Sequence, residues 1–473
     1  MKPYHLFKVL DSYFVYDCSA CQFYEIDELT SDLLLLALRL PLSEAANALE
    51  LSGKYSHADI KSVCREIKFL FRHGLADAPH PYISLSQSKK ILKNTDLSGE
   101  VCEIHLILAE NCNLACRYCY CAKSNPVHCQ KLMPVEVARK AVDFLFAQKS
   151  HDLNITYFGG EPLLNKKVLD DIMAYSKQCN HDHARKVSYS LTTNATLLDG
   201  KTIDYIVKDN FGLMVSLDGP KELHDAQCPD KSGNGTYDRA TANIRKIMKR
   251  RPVGVRATMI HPLPNLRKLI DFFVKFGFNS MVLGMASNRQ DTPNECDLTG
   301  EDLAESVRQH EQLLPWMLSY LRQAKRPPYF LHERWYDAIR NGEATASPHP
   351  CACGAGTRVI AVDTKGNFYP CSKFVGLKKW RIGSLAKGLD LDKVKEQWGK
   401  YVTAISRHCG KCWAYPVCHG PCIWECALEN GEIKFDPKFC HFNAKSIEHA
   451  AYLTLKTQEN LPEDSNSTSA ECL

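Results

Sequence analysis

Apolar positions change their spacing three times along the chain. Between residues 4 and 26 they form three short, aromatic-rich runs of strand length: Tyr4–Leu10, Tyr13–Tyr16 and Gln22–Ile26. Three helical patterns follow, near Glu28–Leu38, Ser43–Leu51 and His57–His73. The last sets Ile60, Val63, Ile67 and Leu70 on one face. Three strands then three helices predict a small winged-helix-like module over residues 1–90, ended by Pro79, His80 and Pro81. Tyr13, Phe14, Phe23 and Tyr24 read as its core.

From about residue 100 strands and helices alternate. Strand patterns fall at Cys102–Ala109, Asn154–Phe158, Val187–Thr193, Leu213–Leu217, Val253–Ile260 and Ser280–Gly284. Helical patterns lie between them at Pro134–Gln148, Lys166–Gln178, Lys201–Lys208, Tyr237–Lys249 and Asn265–Phe276. This α/β alternation over residues 100–299 predicts a partial (β/α)6 barrel with its chemistry at the C-terminal ends of the strands. A helical bridge is expected over 300–344, a cysteine-rich domain over 345–455 and a disordered polar tail over 460–473.

Composition narrows the partners. The 473 residues carry 59 Lys+Arg against 54 Asp+Glu, a net charge of +5. That near-neutral balance gives no case for a nucleic-acid partner. Leu33–Leu38 is far too short to span a bilayer. Lys8 and Asp11 interrupt any signal-peptide core, so a cytoplasmic protein without membrane attachment is expected. In a reducing compartment 22 cysteines do not read as disulfides. Cys64, Cys102 and Cys179 suit plain small residues; the clustered cysteines suit metal.

The first cluster, Cys112, Cys116 and Cys119, follows the first barrel strand with spacing C-x3-C-x2-C. Three thiolates can hold three irons of a [4Fe–4S] cube and leave the fourth open to a chelating ligand. Zinc prefers four ligands in paired C-x2-C motifs, so it fits this spacing poorly.

The segment resembles the radical S-adenosylmethionine (SAM) superfamily, whose motif C-x3-C-x-aromatic-C is met here with Tyr118 in the aromatic place. The resemblance implies SAM bound at the open iron and cleaved to a 5′-deoxyadenosyl radical, with Tyr118 near the adenine. Gly159-Gly160-Glu161-Pro162 is similar to the family's GGEP loop for the SAM amino group. Asn194 after the third strand, and Ser216 and Asp218 after the fourth, resemble its SAM-contact positions. One position departs: Cys228 stands where close relatives often carry Arg. Arg256 is another cation that could replace it.

Further on, Cys351 and Cys353, Gly366-x4-Cys371, Cys409-x2-Cys412-x5-Cys418-x3-Cys422 and Cys440 are similar to the SPASM pattern. That implies two auxiliary [4Fe–4S] clusters and three in all. One takes Cys409, Cys412, Cys418 and Cys440. The other takes Cys371, Cys422, Cys353 and Cys351, though one of the last pair alone could ligate and leave an iron for a substrate thiolate. Cys426 is left over as a buried thiol. Zinc remains the alternative occupant.

SPASM proteins mostly modify peptides or proteins, and the N-terminal module resembles the leader-recognition element of ribosomal-peptide maturases. The resemblance therefore implies an oxidoreductase that abstracts hydrogen from a precursor peptide and installs a cysteine thioether. Its electrons would come from a flavodoxin or ferredoxin. A carbon–carbon (cyclophane) crosslink is the alternative. Sulfatase-type maturation is a third reading, weakened because those relatives carry Asp after the cysteine where Ser372 stands. A non-enzymatic leader- or DNA-binding scaffold is the reading outside enzymology. No residue is singled out as catalytic.

Overall fold

The computed structural model describes residues 4–72, 90, 101–119, 131–181, 184–286, 291, 293–342 and 353–458. The expected module end at Pro79–Pro81, Cys351 and the expected tail at 460–473 lie outside the described residues.

At the N-terminus, β1 (Tyr4–Val9), β2 (Ser12–Asp17) and β3 (Gln22–Ile26) form an antiparallel meander. It is followed by α1 (Glu28–Ala37), α2 (Leu42–Ser52) and α3 (His57–Leu70). Asp27 and Ser56 cap α1 and α3 by accepting from Thr30 N and Asp59 N, satisfying donors that a helix start leaves unpaired. The sheet buries both faces. Tyr4 and Val15 pack with Leu33, Leu34, Ile60 and Ile67 in the module's own core. Phe7, Phe14, Tyr16 and Phe23 join the main core of the chain instead. Phe14 meets Tyr452 edge-on at 6.2 Å, and His5 stacks on Trp413 at 3.8 Å. Two of the expected core aromatics differ: Tyr24 is 46% exposed and Tyr13 is half-buried. Both lie on strand surfaces that no other element covers fully, so an aromatic type alone does not place a residue inside.

The six parallel strands appear where the alternation puts them: β4 (Glu103–Ala109), β5 (Asp152–Gly159), β6 (Lys186–Thr193), β7 (Gly212–Ser216), β8 (Gly254–Met259) and β9 (Ser280–Met285). Helices α4 (Val135–Phe146), α5 (Lys166–Cys179), α6 (Gly200–Lys208), α7 (Lys221–Gln227), α8 (Tyr237–Met248) and α9 (Leu266–Phe276) cross between them. Outer-face residues such as Ile155, Val255 and Ala257 are wholly buried.

Two helices, α10 (Gly300–Leu321) and α11 (Glu333–Arg340), occupy the expected bridge. The chain then returns to the sheet. Strand β10 (Val359–Val362) runs parallel to β4, and β11 (Asn367–Tyr369), β12 (Gly383–Ser384) and β13 (Gly388–Leu389) extend that edge antiparallel. One ten-stranded mixed sheet therefore spans the boundary expected near residue 345, in the order β13-β12-β11-β10-β4-β5-β6-β7-β8-β9. The chain closes with α12 (Leu391–His408) and α13 (Pro437–Gln458), the latter packed on α10 and α11. Among the described residues no helix is long and apolar enough to cross a membrane.

Candidate functional site

A cavity of about 470 Å³ opens at the C-terminal ends of the parallel strands. Cys112, Cys116, Tyr118 and Cys119 come from the loop after β4, and Gly159 and Gly160 from the end of β5. Asn194, Ser216 and Asp218 follow the next two strands. Every predicted SAM-contact residue except Glu161 therefore lines one space together with the three thiols.

Local packing explains why this loop needs its glycines. A Cβ on Gly160 would stand 2.5 Å from the Asn111 carbonyl carbon and 2.9 Å from Cys112 N. Gly159 adopts φ 144° and presses on the Ala109 backbone. The approach lets Gly160 N donate to Ala109 O at 2.8 Å and Glu161 N donate to Asn111 O at 3.0 Å, tying the GGEP loop to the cysteine loop.

Glu161 is wholly buried behind the cavity wall. Its carboxylate accepts from Leu163 N at 3.0 Å, Thr193 Oγ1 at 2.8 Å and Asn194 N at 2.8 Å. Burial raises its pKa to about 7 even against these donors. It positions Asn194, whose Nδ2 donates to Asn113 Oδ1 at 3.0 Å and lies 3.6 Å from Cys112 Sγ. Burial pushes the Cys112 thiol up to about 12, and the Glu161 charge adds to it. Loading iron on this thiolate must therefore release a proton.

On the opposite wall Asp218, also buried, accepts from Tyr118 OH at 2.8 Å, Cys228 Sγ at 3.3 Å and Thr258 N at 2.9 Å. Its own N–H donates to His224 Nδ1 at 3.1 Å. His224 is thus held neutral, its pKa lowered by burial. The Cys228 departure gains a meaning: the thiol braces Asp218 and Tyr118. Arg256, on β8, lines the cavity and has no ion-pair partner among the described residues. His224, Cys228, Thr258, Ser372 and Lys373 are lining residues that motif reading did not assign to the site. Ser372 and Lys373 follow Cys371 and come from the C-terminal region, so only the β10–β4 pairing brings them here.

The C-terminal cysteines separate into two neighbourhoods. Cys409 feels Cys418, Cys412 and Cys440; Cys371 feels Cys422 and Cys353. Burial raises Cys371 to about 12 and Cys418 to about 11. Cys426 is buried, 2% exposed. Both sets thus offer soft sulfur donors in the grouping that two clusters need, as does the Cys112 loop for its own. Among the described residues no three His, Cys, Asp or Glu side chains are placed to hold a single metal ion. Thiolates on different irons of a cube stand further apart than those on one ion, so that observation bears on single ions.

Comparison with known proteins follows the same lines. Residues 106–276 match the model of the Radical SAM superfamily. An uncharacterised protein of Methanocaldococcus jannaschii is 31% identical over 37% of this chain and 60% of its own length, so the match spans less than two thirds of that relative. A cysteine-type anaerobic sulfatase-maturating enzyme of Clostridium novyi is 22% identical over 66% of this chain and 85% of that protein. The structure of native anSMEcpe with bound AdoMet and Cp18Cys peptide superposes with a TM-score of 0.62 at 20% identity, over 76% of this chain and 99% of that one. Streptococcus suis SuiB bound to S-adenosylmethionine gives 0.51 at 14% identity, over 92% and 98%; SuiB has also been solved bound to precursor peptide SuiA. At such identities the structural likeness is one of fold. Over residues 106–276 this chain is therefore similar to the radical SAM superfamily.

Proposed function

We propose that this chain is a radical SAM peptide maturase that installs a cysteine thioether in a ribosomally made precursor peptide. The observation that carries the reading is one shared cavity, walled on one side by Cys112, Cys116 and Cys119 and on the other by Ser372 and Lys373 next to Cys371. A residue lying there would meet both the site of SAM cleavage and the edge of the C-terminal cysteine sets.

When bound, the cluster and SAM supply a 5′-deoxyadenosyl radical; the chain supplies placement and exclusion of water. Cys112, Cys116 and Cys119 would hold that cluster. Asn194, Ser216, Asp218, Gly159 and Gly160 shape the SAM pocket, with Glu161 bracing them from behind. Cys353, Cys371 and Cys422 would hold one auxiliary cluster, and Cys409, Cys412, Cys418 and Cys440 the other.

Two further features support a peptide substrate. The relatives named above include enzymes solved with peptides. Six of the nine large apolar side chains exposed among the described residues sit in the N-terminal module: Tyr24, Leu35, Leu40, Leu51, Phe69 and Leu70. Of these, Tyr24 lies on β3, an outer strand of the meander, and an outer strand can take a leader segment as an added strand. Sulfatase-type maturation is favoured by the clostridial likeness. It is disfavoured by Ser372, which gives the cavity a hydroxyl where those relatives carry a carboxylate.

The test is co-expression with the peptide encoded beside the gene, followed by tandem mass spectrometry. Loss of two hydrogens with a cysteine that no longer alkylates is expected. Loss of two hydrogens with every cysteine still alkylated would assign a carbon–carbon crosslink instead. An aldehyde would assign sulfatase-type chemistry.

A further inference from the structure

The shared cavity has an uneven charge inventory. Apart from thiols and the Tyr118 phenol, its titratable lining side chains are Asp218, His224, Arg256 and Lys373. Asp218 is already engaged, because its carboxylate accepts from Tyr118 OH, Cys228 Sγ and Thr258 N. His224 Nδ1 accepts from Asp218 N, so that ring carries no charge. Two cations are left. Among the described residues neither Arg256 nor Lys373 has an ion-pair partner.

The two cations come from different parts of the fold. Arg256 lies on β8 opposite Ser216, its register partner on β7, and so stands on the expected SAM side. Lys373 enters from the C-terminal region, in the single 3-10 turn Ser372–Phe374 that follows Cys371. That turn is firmly seated. Phe374 N donates to Cys371 O at 3.0 Å. The Phe374 ring is wholly buried against Trp380 and Trp424, with centroids 4.8 and 5.3 Å away. The turn fixes where the lysine stem leaves the backbone, and the flexible four-carbon stem gives the ammonium its reach. Cys371, Cys422 and Glu425 are negative groups that act on Lys373. Glu425 does not stand within ion-pair distance of it, and the Glu425 carboxylate accepts from Cys422 N.

An ammonium has three N–H donors. In a cavity that a bound peptide closes to water, donors left unmatched cost free energy. A substrate filling this space must therefore bring an acceptor, and a carboxylate answers an ammonium most strongly. Ser372 adds a hydroxyl to the same wall. We infer that Lys373, helped by Ser372, is a specificity-determining residue that takes a carboxylate of the precursor peptide, from an Asp or Glu side chain or from the peptide's C-terminus. The contact is non-covalent and sets which residue of the peptide lies over the SAM pocket. The inference rests on the peptide-maturase reading and does not depend on which bond is made.

The experiment uses the reconstituted full chain and the peptide encoded beside the gene, made synthetically, with turnover followed by mass spectrometry. Peptide arms replace each core Asp or Glu by Asn or Gln, one at a time, and a further arm amidates the C-terminus. Enzyme arms are Lys373→Met, Lys373→Arg and Lys373→Glu. With wild-type enzyme, neutralising one carboxylate should raise KM about tenfold to a hundredfold, the worth of one hydrogen bond to a charged group. The arm that does so tells a side chain from the C-terminus. Lys373→Met should raise KM by a similar factor and lose nothing further with that peptide, whereas independent sites would multiply their losses. Lys373→Arg keeps the charge and should lose less than Lys373→Met. If the carboxylate is a side chain, Lys373→Glu should regain turnover with a peptide carrying Lys at that position. The peptide arms use the unaltered enzyme, so they decide the matter even if a Lys373 variant loses iron. Equal KM across all peptide arms would overturn the inference and leave the maturase reading standing. So would losses that multiply, or a Lys373→Met variant that shifts a cluster reduction potential while its peptide KM stays unchanged. A wild-type enzyme that leaves the peptide unmodified would overturn the maturase reading and the inference with it.

Discussion

Replacing Gly160 with alanine tests the contact that joins the GGEP loop to the cysteine loop. The added methyl would sit 2.5 Å from the Asn111 carbonyl carbon, 2.9 Å from Cys112 N and closer still to the Asn111 oxygen. Carbon contacts settle at about 3.5–4.0 Å, so the two loops must part by about an ångström. All three obstacles are backbone, so no rotamer change relieves them. Parting stretches two hydrogen bonds, Gly160 N to Ala109 O and Glu161 N to Asn111 O. Left unmade and buried, each costs about 1–3 kcal/mol. A loss of about 2–6 kcal/mol is therefore expected, together with a displaced Cys112.

The control is Gly200→Ala at the start of α6, where an added Cβ meets nothing within 4 Å. The same chemical change there should be neutral or stabilise by about 0.4–1 kcal/mol. Urea unfolding, iron content after reconstitution and 5′-deoxyadenosine formation measure the pair. If Gly160→Ala unfolded within about 0.5 kcal/mol of the wild type and kept its iron, the steric argument for this loop would be wrong.

Three other outcomes are expected. Glu161→Gln can accept through one oxygen only and turns an NH2 toward Leu163 N and Thr193 Oγ1 or toward Asn194 N. It should cost about 1–3 kcal/mol and weaken SAM binding through Asn194, measured by titration. Cys112→Ala/Cys116→Ala/Cys119→Ala should lower bound iron from about twelve to about eight per chain and abolish 5′-deoxyadenosine formation; Mössbauer spectroscopy with iron counting checks the first, and zinc in place of iron would contradict it. Acid should destabilise the contact of α10, α11 and α13. There burial lowers His310 to about 4 and His449 to about 3 and pushes His332 well below its ordinary value. The rings lie edge to face, at 5.8 Å for His310–His332 and 5.3 Å for His332–His449. Folded pKa values below the unfolded 6.5 mean that the unfolded chain binds more protons. The stabilising share is complete above about pH 6.5 and falls as pH drops toward 4, by up to about 1.4 kcal/mol per pH unit per histidine. Urea midpoints between those values, compared with His310→Gln, measure it.

The six barrel strands were legible because parallel strands between helices leave long, regular apolar runs. The three thiols and the two glycines were legible because spacing on one loop is local information. Strands β10 to β13 escaped notice: they span two to four residues each, too short for any period to show. The orientation of Glu161 was not legible for a related reason. A motif reports that a carboxylate is present, and only packing shows that it points away from the cavity toward Thr193 and Asn194.

By itself the sequence determined the order of elements and the Cys112-x3-Cys116-x2-Cys119 loop. These follow from periodicity and spacing, which a linear chain carries whole. Tertiary structure alone decided that β10 closes against β4 and so brings Ser372 and Lys373 to the Cys112 cavity. It also decided that Cys228 braces Asp218 and Tyr118, and that His408 meets Cys440. Each joins segments far apart in sequence, and hydrogen-bond register and burial fix such contacts where residue type does not.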